Sequence, residues 1–203
     1  MRSLQKIAFL LCLTAALSSG QALAGDWFDR YGRAPAGDRV YICHGYSCRI
    51  VTPVSLSSAE MGRIIAPLRD AGDAEAERQA LSHSVALFEK IVGSRAGTGS
   101  DLPAMQFGRG GDSQMDCIDE ATNTTSLLRV LASRGALKYH KVLQPTARGF
   151  FLDGRYPHAT AVLAEAATDR KWSVDSWPHA NGGPPVIMPL STWFRQRTGA
   201  LPS

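Results

Sequence analysis

The sequence predicts an α+β fold in which one central helix packs against an antiparallel β-sheet. Three helical patterns come before a group of short β-like runs, and turn signals separate these runs from one another. Helices and strands that are segregated along a chain in this way are typical of α+β domains. The length after residue 24 suits a single domain, which we place at 25–203.

The N-terminus has the pattern of a secretory signal peptide. Arg2 and Lys6 precede the apolar run Ile7–Leu17, and small residues follow up to Ala24. This pattern predicts a signal peptide at 1–24 that is cleaved near Ala24. The apolar run is shorter than the roughly 20 residues that a transmembrane helix needs, and no later segment approaches that length. We therefore expect a mature protein that is periplasmic or secreted and does not span a membrane.

The charge of the chain gives no indication of a nucleic-acid partner. The formal net charge is +4, and two of the positive charges lie in the predicted signal peptide. The remaining basic residues are dispersed along the sequence and form no basic tract. We therefore expect no nucleic-acid partner.

Three cysteines follow the predicted signal peptide, and two of them are placed to form a local disulfide. Cys43 and Cys48 flank the short loop HGYS between two β-like segments, so they can bridge across a tight turn. The alternative for this pair is metal ligation, but no second pair of Cys or His stands at zinc spacing. The disulfide leaves Cys117 as a free thiol, and an odd cysteine in an exported protein requires an explanation.

Two helical patterns precede Cys117. In the first, apolar residues recur at helical spacing through AEMGRIIAPLRDAG, and Ser57 or Ser58 is placed to cap the N-terminus. The second helix is expected over Ala74–Val92, with Gly93 and Gly97 ending it. The loop that follows is long and rich in glycine and serine, and loops of this length are usually functional or mobile.

The third helical pattern begins at the free cysteine. We expect a helix over Cys117–Ser133, with Asp116 as its N-cap and Asp119 completing a capping-box-like pair. Free N–H groups and the helix dipole favour the thiolate at such a position, although the nearby acids Asp116, Asp119 and Glu120 oppose it. A buried structural cysteine is the alternative, and the polar helix end argues against it. We therefore expect Cys117 to be reactive beside an imidazolium partner.

This helix has a predicted inner face, and the chain after it contains the predicted strands of the sheet. The helix residues expected to face inwards are Ala121, Thr125, Leu128 and Ala132. The β-like runs are 138–144, 148–153, 157–166 and 171–177. His158 lies in the third run, whose alternation suits a central strand.

His158 and Asp175 complete a candidate catalytic triad with Cys117. Asp175 lies in the last β-like run between apolar residues, where a carboxylate is costly unless it is paired. A histidine on the neighbouring strand is its natural partner, and this pairing would fix the tautomer of His158. Gln114, three residues before Cys117, is placed to lend its amide to an oxyanion hole beside the Cys117 N–H, with loop packing as the alternative.

These motifs resemble the transglutaminase-like superfamily, in particular its bacterial branch of exported cysteine peptidases. The resemblance rests on DCID at the start of a helix, PHATAVL opening a strand and WSVD on the next strand, within the C-terminal half of the chain. It implies a papain-like core with Cys117 as nucleophile, His158 as general base and acid, and Asp175 as the orienting carboxylate. Ile118 stands where this branch tends to place an acid that helps to hold calcium, which argues against a calcium site. Calcium stays an alternative, and no other metal or cofactor is expected.

The expected activity is hydrolysis of amide bonds in a protein or peptide substrate through an acyl-enzyme on Cys117. Three alternatives stay open. An amine instead of water could accept the acyl group, as in transglutaminase-type cross-linking. The chain could be an NlpC-type cell-wall peptidase, although such enzymes use a second histidine where this chain has Asp175. It could also be a non-catalytic periplasmic binding or assembly factor. The sequence names no regulatory protein partner.

Overall fold

The structure is a computed structural model, and it describes residues 27–106, 109–149 and 157–196. The predicted signal peptide at 1–24 lies outside the described residues, so its cleavage stays a prediction. The helices in the described ranges are α1 (Trp27–Arg30), α2 (Ser58–Ile65), α3 (Ala74–Ala96), α4 (Cys117–Ser133) and α5 (Leu190–Arg195), and a 3₁₀ turn at Ala66–Leu68 follows α2. The strands are β1 (Arg39–His44), β2 (Ile50–Ser55), β3 (His140–Arg148), β4 (His158–Glu165), β5 (Lys171–Asp175) and β6 (Val186–Pro189).

The first two strands form the hairpin predicted around the cysteine pair. β1 and β2 are antiparallel, and their register pairs Arg39 with Ser55. A disulfide joins Cys43 to Cys48 across the turn, with their Cα atoms 4.5 Å apart, so the predicted pairing is confirmed. Within the ranges that the structure describes, Cys117 is the free cysteine.

The other four strands form one antiparallel sheet in the order β3-β4-β5-β6. Three of the predicted β-like runs correspond to β3, β4 and β5, and β4 is a central strand as its alternation indicated. The run predicted at 148–153 adds only Arg148 to the end of β3, and its later residues lie outside the described part of the chain. The last strand of the sheet, β6, and the helix α5 were not predicted. The combination of separate helices with antiparallel sheets confirms the predicted α+β class.

The helices before Cys117 begin at local capping signals. Ser57 caps α2, where its hydroxyl accepts the Glu60 N–H and the Glu60 carboxylate accepts the Ser57 N–H. Helix α2 ends just before Pro67, because proline lacks the N–H that a longer α-helix would need there. Pro67 lies instead in the 3₁₀ turn that follows. The Asp73 side chain caps α3 by accepting the N–H of Ala76.

The end of α3 differs from the prediction. The helix continues through Gly93 to Ala96, and Gly97, with a φ of 80°, is the residue that ends it. Gly93 is a glycine for another reason, because a Cβ atom there would lie 2.8 Å from Oδ1 of Asn181. This glycine therefore allows a loop near the sheet to pack on the helix.

Helix α4 is the central element of the fold. Leu128 and Leu131 of α4 share one hydrophobic core with Ile42 of β1 and Leu163 of β4, so the helix lies between the hairpin and the four-stranded sheet. The predicted inner-face residues of α4 are buried except for Ala132. Ala132 is exposed because it lies in the last turn, where Leu131 faces the core instead.

Two findings in the described residues concern membrane spans and the redox compartment. No helix among them has both the length and the apolar character needed to cross a membrane. The Cys43–Cys48 disulfide is a feature of proteins that fold in oxidising compartments such as the periplasm or the extracellular space.

Candidate active site

Cys117 is the first residue of α4, and two aspartates fix the first turn around it. Oδ1 of Asp116 accepts the N–H groups of Ile118 and Asp119, both at 3.0 Å. Oδ2 of Asp119 accepts the N–H of Asp116 at 3.1 Å, which completes the predicted capping box. The N–H of Cys117 has no acceptor within the helix, because first-turn amides lack one.

His158 and Asp175 lie on adjacent strands and are hydrogen-bonded to each other. Nε2 of His158 is 2.6 Å from Oδ2 of Asp175, and both side chains are buried. An ionised carboxylate can only accept, so Nε2 carries the proton and Nδ1 is the basic nitrogen of the ring. Nδ1 is buried and has no hydrogen-bond partner within the described ranges. The predicted pairing of these two residues is therefore present, with one imidazole nitrogen left open.

Two tryptophans enclose the His158–Asp175 pair, and their role was not predicted from the sequence. The His158 ring lies 4.6 Å from the Trp177 ring and 5.3 Å from the Trp193 ring, measured between centroids. Nε1 of Trp193 also donates to Oδ2 of Asp175 at 2.8 Å. Nε1 of Trp177 donates to the carbonyl oxygen of Met105 at 2.8 Å, which anchors its ring. Trp193 belongs to α5, and only its apolar neighbours in sequence could have indicated that it is buried.

The Cys117 thiol contacts the backbone on both sides of His158. Its sulfur is 3.7 Å from the carbonyl oxygen of Pro157, and the N–H of Ala159 is hydrogen-bonded to it. Cys117 also packs with Ala159 and Trp177 in one hydrophobic cluster. The structure thus pairs His158 with Asp175 and places the Cys117 sulfur against the backbone on either side of His158, but among the described residues the sulfur is not hydrogen-bonded to Nδ1 of His158.

The environment of the thiol differs from one expectation, that of an accessible cysteine. Cys117 is only 5% exposed, although its polar helix end had suggested an accessible position. Burial raises the pKa of the Cys117 thiol to about 12, and the charges of Asp116, Asp175 and Asp119 act in the same direction. Loss of hydration and three carboxylates therefore outweigh the helix dipole and the N–H of Ala159. The raised pKa favours the neutral thiol in the resting protein.

Gln114 is bound within the loop that leads to Cys117. Its Oε1 accepts the N–H of Leu102 at 2.9 Å, and its Nε2 donates to the Ser100 carbonyl at 3.1 Å and to the Ser113 hydroxyl at 3.5 Å. Both amide hydrogens are therefore engaged by loop atoms. This geometry favours the loop-packing alternative, and the oxyanion role of Gln114 stays a prediction.

The same loop is fixed at its end by two further contacts. Oδ1 of Asp101 accepts the N–H of Met115 at 2.6 Å. The N–H of Gly45, in the disulfide hairpin, donates to the carbonyl oxygen of Gln114 at 2.9 Å. The residues just before Cys117 are thus held from both sides.

A group of buried acids next to the triad was not expected from the sequence. Burial raises the pKa of Glu89 and of Asp101 to about 7. Burial and the charge of Asp116 raise the pKa of Asp119 to about 8. Burial, with the nearby charge of Glu89, raises the pKa of Glu120 well above its usual range. Oε1 of Glu89 and Oε2 of Glu120 have no hydrogen-bond partner among the described residues. The raised pKa values favour protonation most at Glu89 and Glu120, each of which has a buried oxygen without a donor.

One group of potential metal ligands occurs among the described residues. The sulfurs of Cys43 and Cys48 and a carboxylate oxygen of Asp119 lie within 4.8 Å of one another. Both sulfurs belong to the disulfide, so they are not available as thiolate ligands in the oxidised protein.

Comparison of the chain with protein families, with curated proteins and with solved structures finds no match in any of the three.

Proposed function

We propose that this chain is an exported thiol hydrolase, a cysteine peptidase or amidase, that cleaves amide bonds in a protein or peptide substrate. The main support for this proposal is the set of contacts around His158. Its Nε2 is held by Asp175, its Nδ1 has no partner among the described residues, and the Cys117 sulfur contacts the backbone on both sides of it. General-base activation requires an oriented histidine whose open nitrogen can reach the thiol, and the proposal gives this role toward Cys117 to Nδ1 of His158.

The proposed reaction begins with transfer of the thiol proton from Cys117 to Nδ1 of His158 as the sulfur attacks the substrate carbonyl. Asp175 stabilises the imidazolium that forms. Nδ1 then gives the proton to the leaving amine as the C–N bond breaks, which leaves a thioester on Cys117. Water, deprotonated by the same nitrogen, hydrolyses the thioester and restores the thiol. The raised pKa of the resting thiol makes this base necessary.

The N–H of Cys117 is the proposed oxyanion donor. It lies at the first position of α4, where it has no intrahelical acceptor. The developing negative charge on the substrate oxygen would also face the positive end of the helix dipole.

We further propose membership of the transglutaminase-like superfamily, in its branch of exported cysteine peptidases, with a papain-like core. Three features support this assignment: the cysteine begins a helix, the helix packs against an antiparallel sheet, and His158 and Asp175 lie on adjacent strands. Asp175 rather than a second histidine holds His158, which favours this branch over the NlpC-type peptidases. The disulfide and the sequence pattern at 1–24 support export.

A second candidate function is a periplasmic binding or assembly factor that keeps the same core without catalysis. The burial of Cys117 and the raised pKa of its thiol favour this alternative. Under it, the groups around His158 would have a structural role only.

A peptide-library digestion distinguishes the two candidates. We expect the mature protein to generate new peptide termini, detected by mass spectrometry, and Cys117→Ser to generate none because an alcohol is a much weaker nucleophile beside this base. His179→Ala is the matched control, since it removes an imidazole from the turn after β5 and should retain activity. Cleavage that persists in Cys117→Ser would contradict the proposal. A labelled primary amine in the same digest would reveal acyl transfer as a cross-linked product.

A further inference from the structure

The loop closed by the disulfide has an unusual backbone. Gly45, Tyr46, Ser47 and Cys48 are four consecutive residues with φ values of 74°, 72°, 54° and 56°. Only glycine adopts this left-handed region freely, and the other three residues are uncommon there. Such a run persists only where its surroundings determine it.

The left-handed run directs backbone N–H groups at the two aspartates beside Cys117. Tyr46 N–H donates to Asp119 Oδ2 at 2.9 Å, and Cys48 N–H donates to Asp119 Oδ1 at 2.6 Å. Ser47 N–H donates to Asp116 Oδ2 at 3.0 Å, and its hydroxyl is 3.3 Å from the same oxygen. Successive N–H groups that converge on an anion in this way form a nest.

Each of these carboxylates also holds the first turn of α4. Asp116 accepts loop donors on Oδ2 and the N–H groups of Ile118 and Asp119 on Oδ1. Asp119 accepts loop donors on both oxygens and the N–H of Asp116 on Oδ2. Cys117 lies between the two aspartates, so the loop, the carboxylates and the thiol form one connected unit.

The disulfide holds this unit in place on the hairpin side. Asn123 of α4 bonds both backbone groups of Cys43, with its Oδ1 2.7 Å from the N–H donor and its Nδ2 2.9 Å from the carbonyl oxygen. Cys43 is fully buried, whereas Cys48 is partly exposed. Cys48 is therefore the sulfur that an external thiol can attack.

We propose that the Cys43–Cys48 loop is a redox-sensitive positioning element that holds the Cys117 end of α4 against His158 only while its disulfide is closed. This inference rests on the proposed function for its catalytic consequence, but not for its structural one. A dithiol reductant would attack Cys48, release Cys43 as a thiol, and supply two electrons and two protons as it becomes a disulfide itself. The left-handed run then relaxes, its donors leave both aspartates, and the first turn of α4 loosens.

Hydrogen exchange of backbone amides tests the structural part directly. The samples are oxidised protein, protein reduced with a phosphine, and the Cys43→Ser/Cys48→Ser variant, with Val51→Ser as the matched control in the same hairpin. We expect exchange at Ile118 and Asp119 to rise about tenfold or more in the reduced protein and in the double variant. Exchange over 127–131 in the same helix should not change, and Val51→Ser should behave as the oxidised protein.

Either of two results would overturn the proposal. Unchanged exchange at Ile118 and Asp119 would show that the loop does not hold the helix end. A rise spread evenly over the chain would show that the disulfide stabilises the whole fold instead. If the double variant does not fold, reduction of the folded native protein gives the same readout.

Acylation of Cys117 by p-nitrophenyl acetate, followed in parallel, tests the catalytic part. We expect the acylation rate to fall about tenfold or more when the disulfide is open, with the Val51→Ser rate unchanged. If Cys117 is unreactive in every sample while exchange at the helix end still rises, the positioning role stands and the proposed hydrolase function fails. Equal acylation rates with the disulfide open and closed would overturn the catalytic part.

Discussion

At the scale of single residues, Asp175 holds two aromatic donors on one carboxylate oxygen. Oδ2 accepts hydrogen bonds from Nε2 of His158 at 2.6 Å and from Nε1 of Trp193 at 2.8 Å. Trp193 is fully buried, so it also excludes water from the pair. The Arg148 guanidinium lies over one face of the Trp193 ring, 4.1 Å from the centroid. The orientation of the proposed base therefore depends on a residue that comes from a separate helix.

Replacing Trp193 with Phe tests this dependence. The variant keeps an aromatic ring against His158 but removes the hydrogen bond to Asp175, and bonds to charged groups are worth about 1.5–3 kcal/mol. We expect kcat to fall about tenfold or more with little change in KM, because the bond orients the base without touching substrate. Phe194→Leu is the matched control at the neighbouring, exposed aromatic. Equal losses in the two variants would contradict this role for Trp193.

The raised pKa of Cys117 gives a prediction for its alkylation. In the folded protein the rate with iodoacetamide should keep rising up to about pH 10, because only the thiolate reacts and burial raises the pKa of the thiol to about 12. The urea-unfolded protein, with its disulfide intact, should level off near the ordinary thiol pKa of about 8.5. A plateau below about pH 8 in the folded protein would instead indicate a preformed thiolate–imidazolium pair.

Some contacts of single residues in the site could be predicted from the sequence, and others could not. The pairing of Asp175 with His158 could be predicted, because a carboxylate inside an apolar strand needs a partner and the preceding strand offers an imidazole. The contact of Trp193 with Asp175 could not be predicted, because it depends on how α5 folds back over the sheet. The burial of Cys117 was not predicted, because polar residues at a helix end do not indicate which other elements cover the cysteine.

At the scale of elements, a second buried histidine–carboxylate pair joins α3 to the start of β3. Glu77 of α3 accepts Nδ1–H of His140 at 2.8 Å and the N–H groups of Lys138 and Tyr139 at 2.6 and 3.1 Å. These N–H groups precede the strand, so they have no ladder partner of their own. Burial of Glu77 opposes its ionisation, but the hydrogen bonds outweigh it and lower the pKa of this carboxyl. Glu77 therefore fixes where the sheet begins relative to the helix layer.

Glu77→Gln should destabilise the protein by about 1–3 kcal/mol, because the amide of glutamine cannot accept all of these donors. Glu75→Gln, at an exposed position on the same helix, should have almost no effect. Urea unfolding at neutral pH measures both variants. Because the folded state lowers the Glu77 pKa, its stabilisation is present above the usual glutamate pKa and is lost as the pH falls through the lower, folded value. An equal effect of the two variants would contradict the role of Glu77.

Element boundaries could be predicted where their signals are local. The starts of α2 and α4 follow from Ser57 with Glu60 and from Asp116 with Asp119, because a cap and its partner lie within one helical turn. The end of α3 was misplaced because Gly93 serves a long-range contact with Asn181. The strand β6 was missed because it has only four residues, and its pairing with β5 rather than its own pattern defines it.

At the scale of the whole molecule, several buried acids lie around the triad. Glu89, Asp101, Asp119 and Glu120 all have raised pKa values, mainly because they are buried. An acid whose folded pKa is raised binds a proton more tightly in the folded state. Its contribution to stability is therefore complete below the unfolded pKa and is lost as the pH rises through the folded one.

This linkage predicts that stability falls from about pH 4 to about pH 7, because over this range the folded state keeps protons on Glu89 and Asp101 that the unfolded state has already lost. Each pKa unit that the fold imposes corresponds to about 1.4 kcal/mol. Urea unfolding across this range measures the loss. Glu89→Gln should reduce the slope, because its amide is neutral at every pH, and the exposed Asp112→Asn should leave the slope unchanged. A stability that rises with pH over this range would contradict the assignment of protonated acids.

The fold class could be inferred from the whole sequence because helix periodicity and strand alternation are local patterns. The pairing of His158 with Asp175 could be inferred as well, whereas the catalytic triad stays a prediction. The acid cluster was not inferred, because its members come from α3, α4 and the loop between them and meet only in the packed molecule. For the same reason, the contacts between the disulfide loop and the capping aspartates required the three-dimensional structure.

Single-turnover acylation of the mature protein by p-nitrophenyl acetate tests the central claim, that His158 activates Cys117, most directly. We predict one acetyl group per protein, located on Cys117 by peptide mass, and a rate that falls about 100-fold or more in His158→Ala. His179→Ala should acylate at the native rate. Acylation of Cys117 at the same rate in the native protein and in His158→Ala, or an acetyl group found only on other residues, would contradict the account.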